Sequence, residues 1–371
     1  MIVESLAPYL TWAKTRGPAE FDLAGSNVAA CSIADLPGAR EAVDVSAPND
    51  SGYAPLDEAI ARHYGVAANR IVSAHGCSGA NFVAAAALAG PGDHVLIEQP
   101  SYDPLVGACR LIGARIERFD RPHNGAPLAD PGPCTRRIIP ATRLVMLTTP
   151  HNPSGARVDR AALIAIGRAA SAAGAIVLVD EVYLDAANLG AGRPATYGTA
   201  ALADGPFVVT NSLTKSYGLA GLRCGWLIAQ PHVAERLRRA RDLVENVGGA
   251  PTDRLGAHAF GVLDSLQART RALLSANLAT ASTFLADQPR LRVAAPPGST
   301  TIFPRVEGVT DTSAFAARLH SDWGVAVVPG RFFDAPAHVR INLGCRPDVL
   351  AGGLARIGQA LSAWPTSSRP A

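Results

Sequence analysis

The stretch FVVTNSLTKSYGLAGLRCGW, residues 207–226, decides the reading of the chain. It opens on an apolar run that ends at Asn211 and Ser212, and passes through a glycine-punctuated loop holding Lys215 and Arg223. It then re-enters an apolar run, CGWLIA (224–229). Short apolar runs bounded by turn residues read as buried strands. The same pattern recurs upstream in IVSAH (71–75), HVLIEQP (94–100), RIERF (115–119), RLVMLTTP (143–150) and AIVLVDEV (175–182). Ala-rich amphipathic segments at 79–89, 102–113 and 158–173 read as helices between them. Strands alternating with helices predict an α/β fold whose mainly parallel seven-stranded sheet is covered on both faces.

Downstream, residues 231–285 read as helical with a break at Gly248-Gly249-Ala250-Pro251. After Pro296-Pro297-Gly298 the pattern gives two short strands, a helix from about Thr312 to His320, and strands at 325–328 and 338–343, a smaller α+β domain. The expected division is an N-terminal arm with part of the small domain (1–45), a large domain (46–245), and an interdomain helix with the C-terminal small domain (246–371). The end, WPTSSRPA, is expected to fray.

At 371 residues the chain exceeds one average domain. Its 34 Lys+Arg against 31 Asp+Glu give a net +3 with no basic run, so no nucleic-acid partner is expected. A hydrophobic share of 48% with 18% charged residues is enough to build a large core. The start, MIVESLAPYLTWAKTRG, lacks the basic and apolar regions of a signal peptide, and the longest apolar run, Val83–Ala89, is too short to span a bilayer. Six cysteines are scattered without a C-x-x-C pair, which predicts reduced thiols, no metal site and a cytoplasmic location.

Lysine occurs only at Lys14 and Lys215. Guanidinium stays protonated in proteins, so an amine retained in an arginine-rich chain marks a place where arginine cannot do the chemistry. Lys215 lies among small and apolar residues, conditions that lower an amine's pKa and favour imine formation. Ligands in such sheets gather beyond the carboxyl ends of the strands. There the sequence sets Gly76, Cys77 and Ser78, a turn opening a helix that suits an anion. Tyr102, Asn152 between two prolines, Asp180, Tyr183, Ser212 and Arg223 follow at later strand ends. Taken singly, the glycine turn and the proline-flanked Asn152 are equally structural turns, Tyr102 is packing, and Asp180 is half of an ion pair.

Together these residues resemble the aspartate aminotransferase superfamily, the fold-type I enzymes that use pyridoxal 5'-phosphate (PLP), in its class I/II branch. The likeness runs from about Ser51 to Gly344 and rests on Ser-x-x-Lys-x-x-Gly-x-x-Gly-x-Arg at 212–223, on VDEVY and on HNPSG. It implies a PLP-dependent aminotransferase with Lys215 as the amine that forms a Schiff base and carries the proton. Asp180 is then the partner of the pyridine nitrogen, and Asn152 and Tyr183 are donors to the phenolic oxygen. Tyr102 stacks on the ring, while Ser212, Arg223, Ser78 and the backbone at Gly76 and Cys77 cup the phosphate. Arg340, with Asn152, is implied for the substrate α-carboxylate, and Tyr53 for the phosphate of a neighbouring subunit in a homodimer with shared sites. Thr149, Thr214 and Cys77 stand where Asn, Ser and a small residue are common in the family. The partners implied are an α-amino acid and a 2-oxo acid, and no second arginine is assignable to a dicarboxylate side chain. A PLP-dependent lyase or cyclase, cystathionine β-lyase-like or capreomycidine synthase-like, is the alternative on the same fold; the latter branch also resembles HNPSGA and LTKSYGLAGLR, so cofactor residues do not settle the reaction. A PLP-sensing regulator would need a basic N-terminal DNA-binding domain, and a plain Rossmann module would need G-x-G-x-x-G after the first strand.

Overall fold

The computed structural model describes residues 7–45, 49, 52–122, 125–294 and 298–365. Seven strands form the central sheet: β1 Ile71–His75, β2 His94–Gln99, β3 Arg115–Asp120, β4 Thr142–Thr148, β5 Ile176–Asp180, β6 Phe207–Ser212 and β7 Cys224–Ile228. Their spatial order is β1-β7-β6-β5-β4-β2-β3. Only β7 runs antiparallel to its neighbours. The register sets Thr148 beside Asp180 and Asp180 beside Thr210, so the carboxyl ends of β4, β5 and β6 finish in one row.

Successive residues of each strand serve opposite faces. Val177 and Val179 of β5 enter one core with Leu163, Ile166 and Trp226. Leu178 enters the other with Val83, Leu105 and Leu237. Both faces are dry, as the apolar runs require.

A smaller α+β part is built on a three-stranded antiparallel sheet, Thr301–Ile302, Val339–Asn342 and Val328–Pro329 in that order. Helices Ser313–Trp323 and Pro347–Ala363 pack on its core. Phe21–Asp22, from the chain's start, pairs in parallel with Val325–Ala326.

The structure departs from the sequence reading at several elements. A helix α1, Pro8–Thr15, was not foreseen; proline at its start needs no hydrogen-bonded N–H, and Tyr9 is its only buried residue. Helix α2, Gly76–Leu88, begins three residues before the expected 79 because Gly76, at φ +70, turns the chain directly from β1 into the helix. The 231–285 stretch has a second break at Val262, giving helices Pro231–Val244, Ala250–Gly261 and Leu263–Ala286. The helix expected at 102–113 is Asp103–Leu111. The terminal residues 366–371 lie outside the described ones.

Candidate active site

A cavity of about 230 Å³ opens at the row of strand ends, lined among others by Cys77, Ser78, Tyr102, Asn152, Asp180, Tyr183, Ser212, Lys215 and Arg223. Nine residues picked from strand-end chemistry thus share one concave wall. At one end lies Asp180, whose Oδ2 accepts from Asn81 Nδ2 at 2.8 Å and whose Oδ1 accepts from the Val182 N–H at 3.0 Å. The Cys77 thiol sits 3.5 Å from Oδ1. Burial raises the Asp180 pKa, and these donors pull it back by favouring the charged form. The acceptor-only Asp180 carboxylate fixes which way the Asn81 amide points, and Asn81 Oδ1 in turn accepts from Thr210 Oγ1 at 2.7 Å.

At the other end Arg223 adopts a left-handed backbone, φ 54, and its Nη2 donates to the His75 carbonyl at 3.4 Å. Gly76 lies behind this guanidinium and does not line the cavity; a Cβ there would collide with Arg223. Its role is to make room. Ser78 is in the first turn of α2, where N–H groups have no helical partner. Ser212 caps helix α3, Leu213–Tyr217, by accepting from the Thr214 N–H at 3.3 Å. Thr214 Oγ1 is buried on the cavity wall without a hydrogen-bond partner.

Lys215 stands between the two ends. Its Nζ donates to Asn27 Oδ1 at 2.6 Å and to Ser26 Oγ at 3.1 Å. Burial first, and the Arg340 charge second, bring its pKa down from 10.5 to about 8. Burial pushes the Tyr183 phenol up, against the pull of Arg340 and a hydrogen bond with Ser26. Tyr102 packs edge-on to Tyr9, with centroids 5.9 Å apart.

Besides Gly76, two expected site residues are not on the cavity wall. Arg340 is fully buried behind Tyr9 and Asn152. Its Nη1 donates to Asn152 Oδ1 at 2.9 Å, and its Nη2 to Tyr9 Oη at 2.7 Å and the Ala24 carbonyl at 3.0 Å. The guanidinium is flanked by the Tyr9 and Phe333 rings, each 5.1 Å away, and Nε has no partner. Tyr53 lies away from the cavity with the Arg254 guanidinium 4.5 Å over its ring. Sequence reasoning missed Tyr9, Ser26, Asn27 and Asn81. Asn81 alone carried a signal, as the one amide in the helix GCSGANFVAAAAL.

The class I and II aminotransferase family matches residues 45–357. The chain is 33% identical over 311 residues to capreomycidine synthase of Streptomyces vinaceus, covering 78% of this chain and 74% of that one. It is 30% identical over 302 residues to a probable N-succinyldiaminopimelate aminotransferase of Mycobacterium tuberculosis, covering 78% and 75%. In three dimensions it resembles a PLP-dependent aminotransferase from Streptococcus suis, with a TM-score of 0.86 at 23% identity over 99% of this chain and all of the other. The chain belongs to the class I and II aminotransferases, a PLP-dependent family of fold type I.

Proposed function

We propose that this protein moves an amino group between an α-amino acid and a 2-oxo acid, with Lys215 as the amine that holds PLP. One observation carries the reading. The only lysine besides Lys14 is the amine with a depressed pKa, set between a buried carboxylate and an arginine at opposite ends of one cavity. The donor set fits the cofactor: Asp180 suits a pyridinium N–H, while Arg223, Ser78, Ser212 and the unpartnered Thr214 hydroxyl suit a phosphate. PLP, when bound, supplies a carbonyl carbon for amines and a ring that takes up the electron pair released at the substrate Cα.

The chain's own residues supply the rest. An amine with a pKa of about 8 has a substantial neutral fraction near neutrality, so Lys215 can take a proton from Cα and return it. Asp180 keeps a proton on the ring nitrogen. Arg340 receives the α-carboxylate, a charged acceptor that outcompetes the neutral Asn152 and Tyr9 oxygens now on its Nη atoms. Leu10, Tyr9, Tyr102 and Val182 face the same space, which favours a neutral or aromatic side chain.

A homodimer with Tyr53 reaching the neighbouring phosphate belongs to this reading, as does the division at residues 45/46 and 245/246. A cytoplasmic setting belongs to it too, supported by six unpaired cysteines. No described helix is long and apolar enough to cross a membrane.

Cyclisation at the same cofactor is the second reading, favoured by the 33% identity to capreomycidine synthase. Borohydride reduction of the yellow holoenzyme should fix the cofactor to the peptide holding Lys215 and to nothing in Lys215→Ala. A label on Lys14 would sink the assignment. Amino acids screened one at a time should then release 2-oxo acid and leave the amino form of the cofactor. A cyclised product without oxo acid selects the second reading.

A further inference from the structure

The segment Leu23–Ala29, which brings Ser26 to the cavity wall, is a strap tied to two of the site's cationic residues, Arg340 and Lys215. Arg340 Nη2 donates to the Ala24 carbonyl at 3.0 Å, and the Val28 N–H donates to the Lys215 carbonyl at 3.0 Å. Asn342 holds the strap from below: its N–H donates to the Leu23 carbonyl at 2.8 Å and its Nδ2 to the Asn27 carbonyl at 3.3 Å. The Ala29 N–H donates to the Gly344 carbonyl at 2.7 Å. Gly344 is required there, since a Cβ would strike the Asn27 carbonyl. The backbone of residue 27 is therefore pinned on both sides, and its side chain offers an acceptor at a fixed point.

That point is occupied by the Lys215 amine. Nζ lies 2.6 Å from Asn27 Oδ1 and 3.1 Å from Ser26 Oγ. An ammonium has three donors and no acceptor, so only the amide oxygen of Asn27 can face it. We propose that Asn27, aided by Ser26, is a positioning residue: it holds the Lys215 amine in place whenever that amine is not bonded to the cofactor, as it must be while the proton at Cα is moved. The proposal rests on the reading of Lys215 as the cofactor amine. It gives the N-terminal strap a direct part in the chemistry. An amide oxygen bonded to the ammonium also favours the charged form, offsetting part of the burial that depresses it.

The test uses the chain's two lysines. In the full-length protein freed of cofactor, competitive acetylation at a series of pH values, read by peptide mass spectrometry, gives one titration midpoint for Lys215 and one for Lys14 as the internal reference. Asn27→Ala removes the acceptor and should lower the Lys215 midpoint by roughly half to one pH unit, while Asn27→Asp puts a negative charge there and should raise it by about one unit or more. Lys14 should not move in either. Loss of a merely structural residue would not shift the midpoint in opposite directions for the two substitutions. Midpoints within about 0.2 unit of the parent in both would overturn the proposal, even with borohydride labelling on Lys215 intact. Labelling on Lys14 instead would overturn the cofactor assignment itself. Should Asn27→Ala not fold, the isosteric Asn27→Asp decides alone: a raised midpoint upholds the proposal and an unchanged one ends it.

Discussion

At the scale of single residues, the site works by withholding water and choosing what replaces it. Lys215 is the clearest case, because its amine, with a pKa of 10.5 outside the protein, falls to about 8 inside it. A cation whose folded pKa is depressed weakens folding wherever the unfolded chain holds more protons. The penalty is full below about pH 8, shrinks as pH rises toward 10.5, and vanishes above. In cofactor-free protein, Lys215→Met should therefore be the more stable chain at about pH 7, by up to roughly 3 kcal/mol, with the gap closing as pH rises. Urea unfolding at several pH values measures it; a gap that widens with pH would contradict the assignment of cause. Lys215, Asp180 and Arg223 were legible from residue type and strand-end position. Asn27 and Ser26 were not, since their partner lies 188 residues and more away and the stretch LAGSNVAACS resembles the family's glycine-containing substrate loop only vaguely, without singling either residue out. Arg340 was legible only through resemblance, and the structure explains why. Its charge is answered by hydroxyl, amide and carbonyl oxygens and by no carboxylate, leaving no ion-pair signature to find.

At the scale of elements, strand ends were the most readable part of the chain, and the devices holding them together were the least. Strands β1 and β6 fall on the expected residues, because unbroken apolar runs between turn residues admit few alternatives. A fully buried pair, Glu98 of β2 and Arg121 just beyond β3, lies 2.6 Å apart, and Arg121 Nη1 also donates to the Thr148 carbonyl at the end of β4 at 2.9 Å. Glu98 Oε1 also accepts from the Thr148 N–H at 2.8 Å and hydroxyl at 2.6 Å, fixing the end of β4 at the cavity. Burial raises the Glu98 pKa while Arg121 lowers it. Neither residue is marked by spacing, since Glu98 falls inside the strand HVLIEQ and Arg121 just after the strand RIERFD. Helix α3 shows the same dependence on distant chain. It ends at Gly218, φ +74, whose missing Cβ leaves space for the Ala29 carbonyl of the strap. Gly218→Ala should cost at least about 1 kcal/mol from the backbone alone and displace the strap as well. The expected result is a lower melting temperature and slower turnover with PLP retained. Unchanged turnover in a folded Gly218→Ala protein would mean the strap adjusts freely.

For the whole molecule the open question is assembly. Val45 is 79% exposed and Leu243 91% exposed, with the apolar Val244 half exposed beside Leu243. Apolar groups left in water at the edge of the cofactor half suit an interface. The 38.4 kDa chain should sediment as a dimer, and Leu243→Asp with Val244→Asp should shift it toward monomer and weaken PLP retention. If Tyr53 crosses to the partner, mixing inactive Lys215→Ala and Tyr53→Ala chains under subunit exchange restores one intact site per heterodimer. No recovery would place Tyr53 in its own subunit's structure, where it already lies beneath Arg254.

The strap also closes the polypeptide on itself. Arg340 is bonded to Tyr9 across 331 residues of chain and to Ala24 across 316, whereas Arg223 reaches His75 across 148. Loop entropy grows only with the logarithm of length, so the longer closure costs roughly 0.7 kcal/mol more than the shorter one. The Arg223 end of the site is thus closed within the span of chain that builds the central sheet, while Arg340 is held only where segments from both extremities of the polypeptide meet. Removal of the segment before Leu23, which takes Tyr9 from Arg340, should therefore weaken the grip on substrate more than the retention of PLP, read as a raised KM at unchanged bound-cofactor absorbance.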